Sequence, residues 1–443
     1  MCAQAVFSVC VADTDSGDFD LGIDIMREIV RENVYEFRDN VHYGIKWILI
    51  SLVLGSVCGV VGALFHHAID YATELREGHG WLIWLMPFGG MLIVYLYRFA
   101  GLHNQPGTNT IIRSVRQQER VSRMLAPAIF LATVITHFVG GSSGREGAAL
   151  QIGGSLATAL GRLMKVDKKE MSLLVMCGMT AVFSALFGTP LTATIFSMEV
   201  VSVGTFYYAA LVPCLCSGLV AYFTAQALGC HSVTYQLHQV MTIDAHNFVY
   251  LLVLSACVAV VSIAFVTLMH MTSKLFEKRF SSPYLRVWAG SAILLILVVL
   301  FGTDYLGAGM DIVDKAIYKQ VQPYDFVLKA VFTAITIGCG FKGGEIVPTF
   351  FIGATLGYTV GGFIGIDPHM AAALGMVGLF CCVINSPITS MILAIEIFGS
   401  ANLLPFAIVI AFCNVLSGYA SLYQAQKFVY SKTSPEFINR DAK

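Results

Sequence analysis

Residues 144–161 read GREGAALQIGGSLATALG, and residues 344–361 read GEIVPTFFIGATLGYTVG. At an offset of 200 they share Gly144/Gly344, Ile152/Ile352, Gly153/Gly353, Leu156/Leu356 and Gly161/Gly361. A second pair follows. GMTAVFSALFGTPLTATIFSME (178–199) lies over GMVGLFCCVINSPITSMILAIE (375–396) at an offset of 197, with Gly178/Gly375, Phe183/Phe380, Pro190/Pro387, Thr192/Thr389 and Glu199/Glu396 in common. One small deletion separates the two offsets. Apolar composition scatters matches, whereas here the glycine and proline punctuation coincides in two blocks, so the chain reads as an internal duplication.

Each block carries residues that start helices. Gly144, Gly147, Gly343 and Gly344 permit tight turns and close backbone approach. Thr189-Pro190 and Ser386-Pro387 each set a hydroxyl before a proline, which predicts a side-chain N-cap followed by the first helical residue. Pro348 is expected to serve the same way after GEIV. A helix N-terminus carries roughly +0.5 charge and several free amide donors, so it attracts an anion without any lysine. Two such ends aimed at one point would make a dry, electropositive berth for a small anion.

The rest of the chain places that berth in lipid. Of 443 residues, 56% are hydrophobic and 12% charged, against about 25% charged in soluble domains. Uncharged runs such as Trp47–Phe65, Gly80–Leu96, Phe206–Cys230, Phe248–Met269 and Val287–Thr303 are near the ~20 residues that cross a bilayer. Met171–Met198, His369–Ile395 and Ile397–Gln426 are interrupted by Pro190, Pro387 and Pro405, which predicts pairs of shorter or tilted helices. Broken helices survive in a bilayer where protein or a watery cavity satisfies the freed backbone, a feature of transporters and channels.

A net charge of −1 argues against nucleic acid as a partner. The twelve cysteines show no CxxC spacing and read as small buried hydrophobes. No metal or cofactor is implied. Residues 1–40 read as a cytoplasmic segment ending in an amphipathic helix near Ile23–Phe37, residues 41–230 and 231–431 as two transmembrane halves, and 432–443 as a cytoplasmic tail. The basic connectors 98–123 and 162–169 are expected on the cytoplasmic side, although 274–286 is basic too.

The acids in this apolar chain stand out. Glu345 is followed by 21 uncharged residues, 346–366, and Glu146 sits on the corresponding glycine turn. Intramembrane acids mark ion and proton pathways. The plainer alternatives are an ion pair with Arg145 or a helix cap for Glu146, and a pair with Lys342 for Glu345. Glu199 and Glu396, at the ends of short apolar helices, are read as structural. His66, His67 and His137 are read as interfacial or hydrogen-bonded residues, not ligands.

Taken together, these residues resemble the CLC family of chloride channels and anion/proton antiporters over about residues 40–430. Gly144-Arg145-Glu146-Gly147-Ala148 is similar to the family motif G-[KR]-E-G-P, with alanine for proline, and Gly344-Glu345-Ile346-Val347-Pro348 to G-x-F-x-P. Gly107-Thr108-Asn109-Thr110-Ile111 stands weakly for the remaining motif, G-S-G-I-P. A G-E-x-x-P form of the third motif resembles the branch that exchanges fluoride for protons. The family's chloride/proton exchangers carry two adjacent acids where this chain has Glu199-Val200, so their usual inner proton station is missing here.

The resemblance implies an all-α polytopic membrane protein with two inverted homologous halves of tilted and broken helices, a homodimer with one pathway per subunit, in the cell membrane. It implies fluoride/proton antiport, with a chloride channel or chloride/proton antiporter as the alternative. Glu146 would be the gating and proton-carrying acid and Glu345 the second acid. The anion would be held by Thr108 or Asn109, by Gly144, Arg145, Gly147, Ile346 and Val347, and by Tyr423 as the pore tyrosine, with Tyr430 a poorer substitute. Val347 stands where the fluoride branch often has threonine. Fluoride is compact and tightly hydrated, so leaving water demands strong donors, and a protonated carboxyl is one. A membrane-embedded enzyme would need a set such as HExxH or GxSxG, which is not expected here, and nothing soluble is appended that would suit a scaffold.

Overall fold

The computed structural model describes residues 16–102, 107–237 and 239–442, with side chains from Met26 onward except that of Lys169. The chain divides into two compact units, Met1–Ile50 and Ser51–Lys443. Residues 1–15 of the expected N-terminal segment lie outside the described residues. The first unit holds the start of helix α1 (Ser16–Gly78), where Arg31 and Arg38 flank the Tyr35 ring at 5.7 and 5.1 Å. The short helix expected near Ile23–Phe37 is thus no separate element: no proline lies between it and the apolar run from Trp47, and the lone Gly44 is carried inside the continuous helix.

In the second unit the first half continues through α2 (Met86–Phe99), α3 (Thr108–Gln117), α4 (Leu125–Phe138), α5 (Glu146–Leu163), α6 (Lys168–Phe187), α7 (Pro190–Glu199) and α8 (Leu211–Ala227). The second half comprises α9 (Ala245–Arg279), α10 (Pro283–Phe301), α11 (Met310–Tyr318), α12 (Asp325–Cys339), α13 (Ile346–Ile364), α14 (Pro368–Ile384), α15 (Pro387–Phe398) and α16 (Leu403–Leu416). Seven described helical segments are long and apolar enough to cross a membrane. Others, such as α7 with 10 residues and α15 with 12, reach only about half the ~30 Å hydrocarbon thickness. The protein is an all-α polytopic membrane protein with one small sheet.

The breaks fall largely where proline places them. The runs at Pro190 and Pro387 each divide into two helices, with proline as the first residue of the second. Pro405 does not split a helix, because it lies in the first turn of α16, where its missing N–H has no bond to lose. Pro348 likewise is the third residue of α13, two later than expected.

Opposed helices define two faces. Gly80 and Ile83, just before α2, line a large cavity, while Arg98 near the end of α2 lines a small one. The order is reversed in α10: Pro283 and Arg286 line the small cavity, and Thr303 and Asp304 just beyond its end line the large one. The two helices start 197 residues apart (283 − 86), the offset of the duplicated block, and run in opposite directions. All three basic connectors gather on the small-cavity face. Arg98 stacks on the Tyr284 ring at 4.8 Å, and Arg162 donates to the Val121 carbonyl at 3.0 Å.

The expected tail is folded. Phe437–Asp441 (β3) pairs antiparallel with Lys427–Tyr430 (β2), which pairs in parallel with Ser202–Val203 (β1). Lys432 Nζ is buried in polar contacts, donating to Asn385 Oδ1 at 2.5 Å and to the Asn414 carbonyl at 2.8 Å.

Candidate functional site

The glycine turns of the two halves meet. Gly144 and Gly344 form an isolated antiparallel bridge, each N–H donating to the other's carbonyl at 2.7 Å. Both glycines are buried, and a β-carbon added at Gly344 would come within 2.5 Å of the Gly147 nitrogen. Only glycine allows this approach. The bridge aims the N-terminus of α5, starting at Glu146, and that of α13, starting at Ile346, at one interior point.

Glu146 is 1% exposed. Its Oε2 accepts from the Arg145 N–H at 2.9 Å, and its Oε1 lies 3.7 Å from Arg145 Nε. The amide of Val347, from the other half, also faces this carboxyl. Glu345 is the residue preceding α13, and its Oε2 is sealed from solvent with no hydrogen-bond partner among the described residues. Its surroundings are fixed by Gly147: a β-carbon there would lie 3.1 Å from Glu345 Oε2 and 3.4 Å from Thr108 Oγ1. The charged groups facing Glu345 are Lys342 and Glu146.

Tyr423 completes the enclosure. It is 1% exposed, its hydroxyl has no partner among the described residues, and the carboxyls of Glu345 and Glu146 face it. Thr108 Oγ1 is 3.3 Å from the Gly147 carbonyl. Asn109 turns elsewhere, its Oδ1 accepting from the Ala425 N–H at 2.9 Å, and Tyr430 is half exposed on β2. Ile346 and Val347 are buried in the first turn of α13. The structure therefore brings together Glu146, Glu345, Thr108, Gly144, Gly147, Ile346, Val347 and Tyr423, and leaves Asn109 outside.

Arg145 points away from this point, toward the mouth of the large cavity. Its Nη1 lies 2.6 Å from His66 Nδ1 and 3.3 Å from Asp70 Oδ1, and His66 Nε2 is 3.1 Å from Asp70 Oδ2. The cavity, about 650 Å³, has Glu146 and Val347 at its inner end and His66, Asp70, Arg76 and Asp311 among its walls. Glu146 therefore borders open space while Glu345 lies behind the bridge. His66 was not singled out as a site residue, since its partner Arg145 comes from a distant segment and only Asp70, one turn on, is local. Gln151 was also missed: one turn after Gly147, it donates to the Gly147 carbonyl at 3.1 Å. A lone amide in the apolar run AALQIGG was its signal.

The small helices exchange caps. Glu199, at the end of α7, accepts from the Ile388 and Thr389 N–H groups at 3.1 and 2.8 Å and from the Thr389 hydroxyl at 2.6 Å. Glu396, near the end of α15, accepts from the Leu191 and Thr192 N–H groups at 3.0 and 2.8 Å. Thr189 and Ser386 therefore do not cap these helices with their hydroxyls, because a carboxylate is the stronger acceptor for the partial positive charge there. Both glutamates are structural, as read from the sequence.

One expectation fails on the letter. Gly140–Gly144 spells G-x-S-x-G, yet Ser142 Oγ shares a hydrogen bond with Thr333 Oγ1 at 3.0 Å in a buried link between two helices, not the strand-to-helix elbow that exposes a nucleophile.

Comparison with known proteins agrees with this architecture. Residues 89–418 match the family model for voltage gated chloride channels. A chloride/fluoride channel protein of Pseudomonas syringae pv. tomato is 30% identical over 89% of this chain and 89% of its own. The crystal structure of a CLC-type fluoride/proton antiporter superposes with a TM-score of 0.84 at 32% identity, covering 87% of this chain and 98% of that one. A slow cyanobacterial Cl−/H+ antiporter, at 18% identity and a TM-score of 0.71 over 84% and 94% of the two chains, shows the shared fold. By sequence and by fold alike, the chain belongs to the voltage-gated chloride channel (CLC) family of membrane anion transporters.

Proposed function

We propose that the protein exchanges fluoride for protons and exports fluoride with the inward proton gradient. The observation that carries this reading is Glu345, whose sealed carboxyl oxygen faces Gly147 beside Thr108 and shares its surroundings with Glu146 and the Tyr423 hydroxyl. Two carboxylates that share one enclosed point repel each other, and Arg145 beside Glu146 and Lys342 beside Glu345 offset that repulsion only in part. A bound anion sharpens that conflict, so proton occupancy and anion occupancy become linked.

In this scheme Glu146 carries the proton. Ionised, it occupies the amide-rich berth as a tethered anion; protonated, it yields the berth to fluoride and swings toward the large cavity, where it exchanges its proton with water. Glu345 in its protonated form donates to fluoride together with Tyr423, Thr108 and the amides of the two helix ends. Such a ring of donors replaces the hydration shell that makes fluoride costly to strip. Thr108, not Asn109, is assigned to the ion because Asn109 is spent on Ala425. The basic face is assigned to the cytoplasm of the cell membrane by its excess of Lys and Arg, and the working unit is a homodimer with one pathway per subunit.

The test is ion flux from proteoliposomes, with fluoride, chloride and proton recorded together for the native chain, Glu146→Gln and Glu345→Gln. Fluoride efflux with matching proton uptake and slow chloride efflux is expected, with coupling lost in the first variant and fluoride turnover lost in the second. Chloride moving as fast as fluoride would overturn the substrate assignment. Fluoride moving without protons would make the protein a channel.

A further inference from the structure

The small cavity, about 110 Å³, lies between the opposed ends of α2 and α10 and beside the loop that follows α12. It has room for roughly three or four water-sized groups at ~30 Å³ each. Three cations line it: Arg98, Arg286 and Lys342. Of these three, Arg286 alone has an ion pair among the described residues, with Glu277 at 3.5 Å, and the Glu277 side chain is 62% exposed. Two donors at this cavity are sealed and unpartnered among the described residues, Arg286 Nε and the hydroxyl of Tyr97, whose residue is 7% exposed. Lys342 sits over the Tyr97 ring at 4.8 Å and Arg98 over the Tyr284 ring at 4.8 Å, so the ring faces hold the cations in place.

Such donors are costly to leave buried without an acceptor, and the positive charge that remains beyond Glu277 and Glu345 calls for an anion with several oxygens. We propose that this cavity binds the phosphate of an anionic phospholipid headgroup. The choice of a lipid over a soluble phosphate rests on the flanks. Tyr95 and Phe99 on α2 and Leu285 and Trp288 on α10 are all more than half exposed, which sets apolar and aromatic side chains at the level of the cations, as in the belt where acyl chains meet headgroups. Basic pockets between transmembrane helices are suited to such headgroups. The site is separate from the anion berth, yet Lys342 lies three residues before Glu345, so an occupied cavity would steady the loop that carries the second acid.

The test is native mass spectrometry of the purified full chain exchanged into dihexanoyl phosphatidylglycerol, dihexanoyl phosphatidylcholine or inorganic phosphate. Retained phosphatidylglycerol, without phosphatidylcholine, is expected. The Arg98→Gln/Arg286→Gln double variant should lose it about thirty-fold, the size of two cationic contacts at a membrane surface, whereas Arg120→Gln/Arg123→Gln on the exposed connector should not. Should the first double variant fail to fold, Tyr97→Phe keeps the ring and removes one donor, and a several-fold drop is expected on the same readout. Equal retention by native protein and the site variant that folds, or equal loss in the connector variant, overturns the proposal. Phosphate retained in place of the lipid assigns the cavity to a soluble anion and overturns the lipid.

Discussion

The two duplicated blocks have diverged unequally. In the block built on α7 and α15, positions 197 apart still do the same work: Thr192 and Thr389, with the amides beside them, each bind the glutamate that ends the opposite helix. In the block built on α5 and α13 the backbones meet just as evenly, through paired 2.7 Å hydrogen bonds between Gly144 and Gly344, but the side chains do not match. Glu146 aligns with Ile346, and Arg145 with Glu345. One acid therefore starts its helix and borders the large cavity, while the other precedes its helix and lies behind the bridge. On the reading proposed above, the symmetric block serves as the brace, and the asymmetric block gives its two acids different access to the large cavity.

Glutamates of equal burial should then fail in opposite ways. Glu146→Gln should abolish proton movement to background with little change in stability, read as proton flux and thermal unfolding of the same preparation. Glu199→Ala should do the reverse. It removes the acceptor for two N–H groups and one hydroxyl and should destabilise the fold by about 3 kcal/mol, while protein that does fold keeps its coupling. Glu396→Ala removes the acceptor for the matching groups, the Leu191 and Thr192 N–H and the Thr192 hydroxyl, and should cost less, because Leu191 is half exposed whereas Thr389 is fully buried. If Glu199→Ala uncouples protons at unchanged stability, the division between brace and pathway fails.

How far the sequence could lead follows the same division. The helix starts at Pro190 and Pro387 and the bridging glycines were legible because their conformational demands are local. The exchanged caps were not, because Thr189 and Ser386 look like sufficient caps until glutamates about 200 residues away are folded against them. Asn109 read as well as Thr108 for an ion ligand, and only the placement of Ala425 separates them. Gln151 and His66 were hidden in the same way, and so was β3, since strand pairing in a short polar tail depends on an edge supplied from elsewhere. Glu146 and Glu345 were readable as a pair because an acid amid apolar glycine turns has few structural uses.

A milder substitution examines the donors of the asymmetric block. Tyr423→Phe keeps the buried ring and deletes the hydroxyl that faces both acids. Losing one hydrogen bond to a charged partner corresponds to about ten-fold, so fluoride turnover should fall by that factor with proton coupling kept. An equal fall in chloride flux would show that the hydroxyl supports packing and does not select the ion.

The smallest expected effect concerns Arg145, the residue aligned with Glu345. His66 and Asp70 hold its guanidinium at the cavity mouth, yet Arg145 Nε already lies 3.7 Å from Glu146 Oε1. His66→Leu removes one anchor and leaves Arg145 freer to pair with Glu146, which would hold the gate in its ionised form. Asp70 is half exposed, so the anchoring is worth about 1 kcal/mol or less, and proton-coupled turnover should slow by about five-fold at most. The slowing should shrink as the medium on the cavity side is acidified, because protonating Glu146 removes the charge that Arg145 would hold. A slowing that is the same at every pH would mean that His66 only shapes the mouth, and that Arg145 is fixed by the fold and not by its partners.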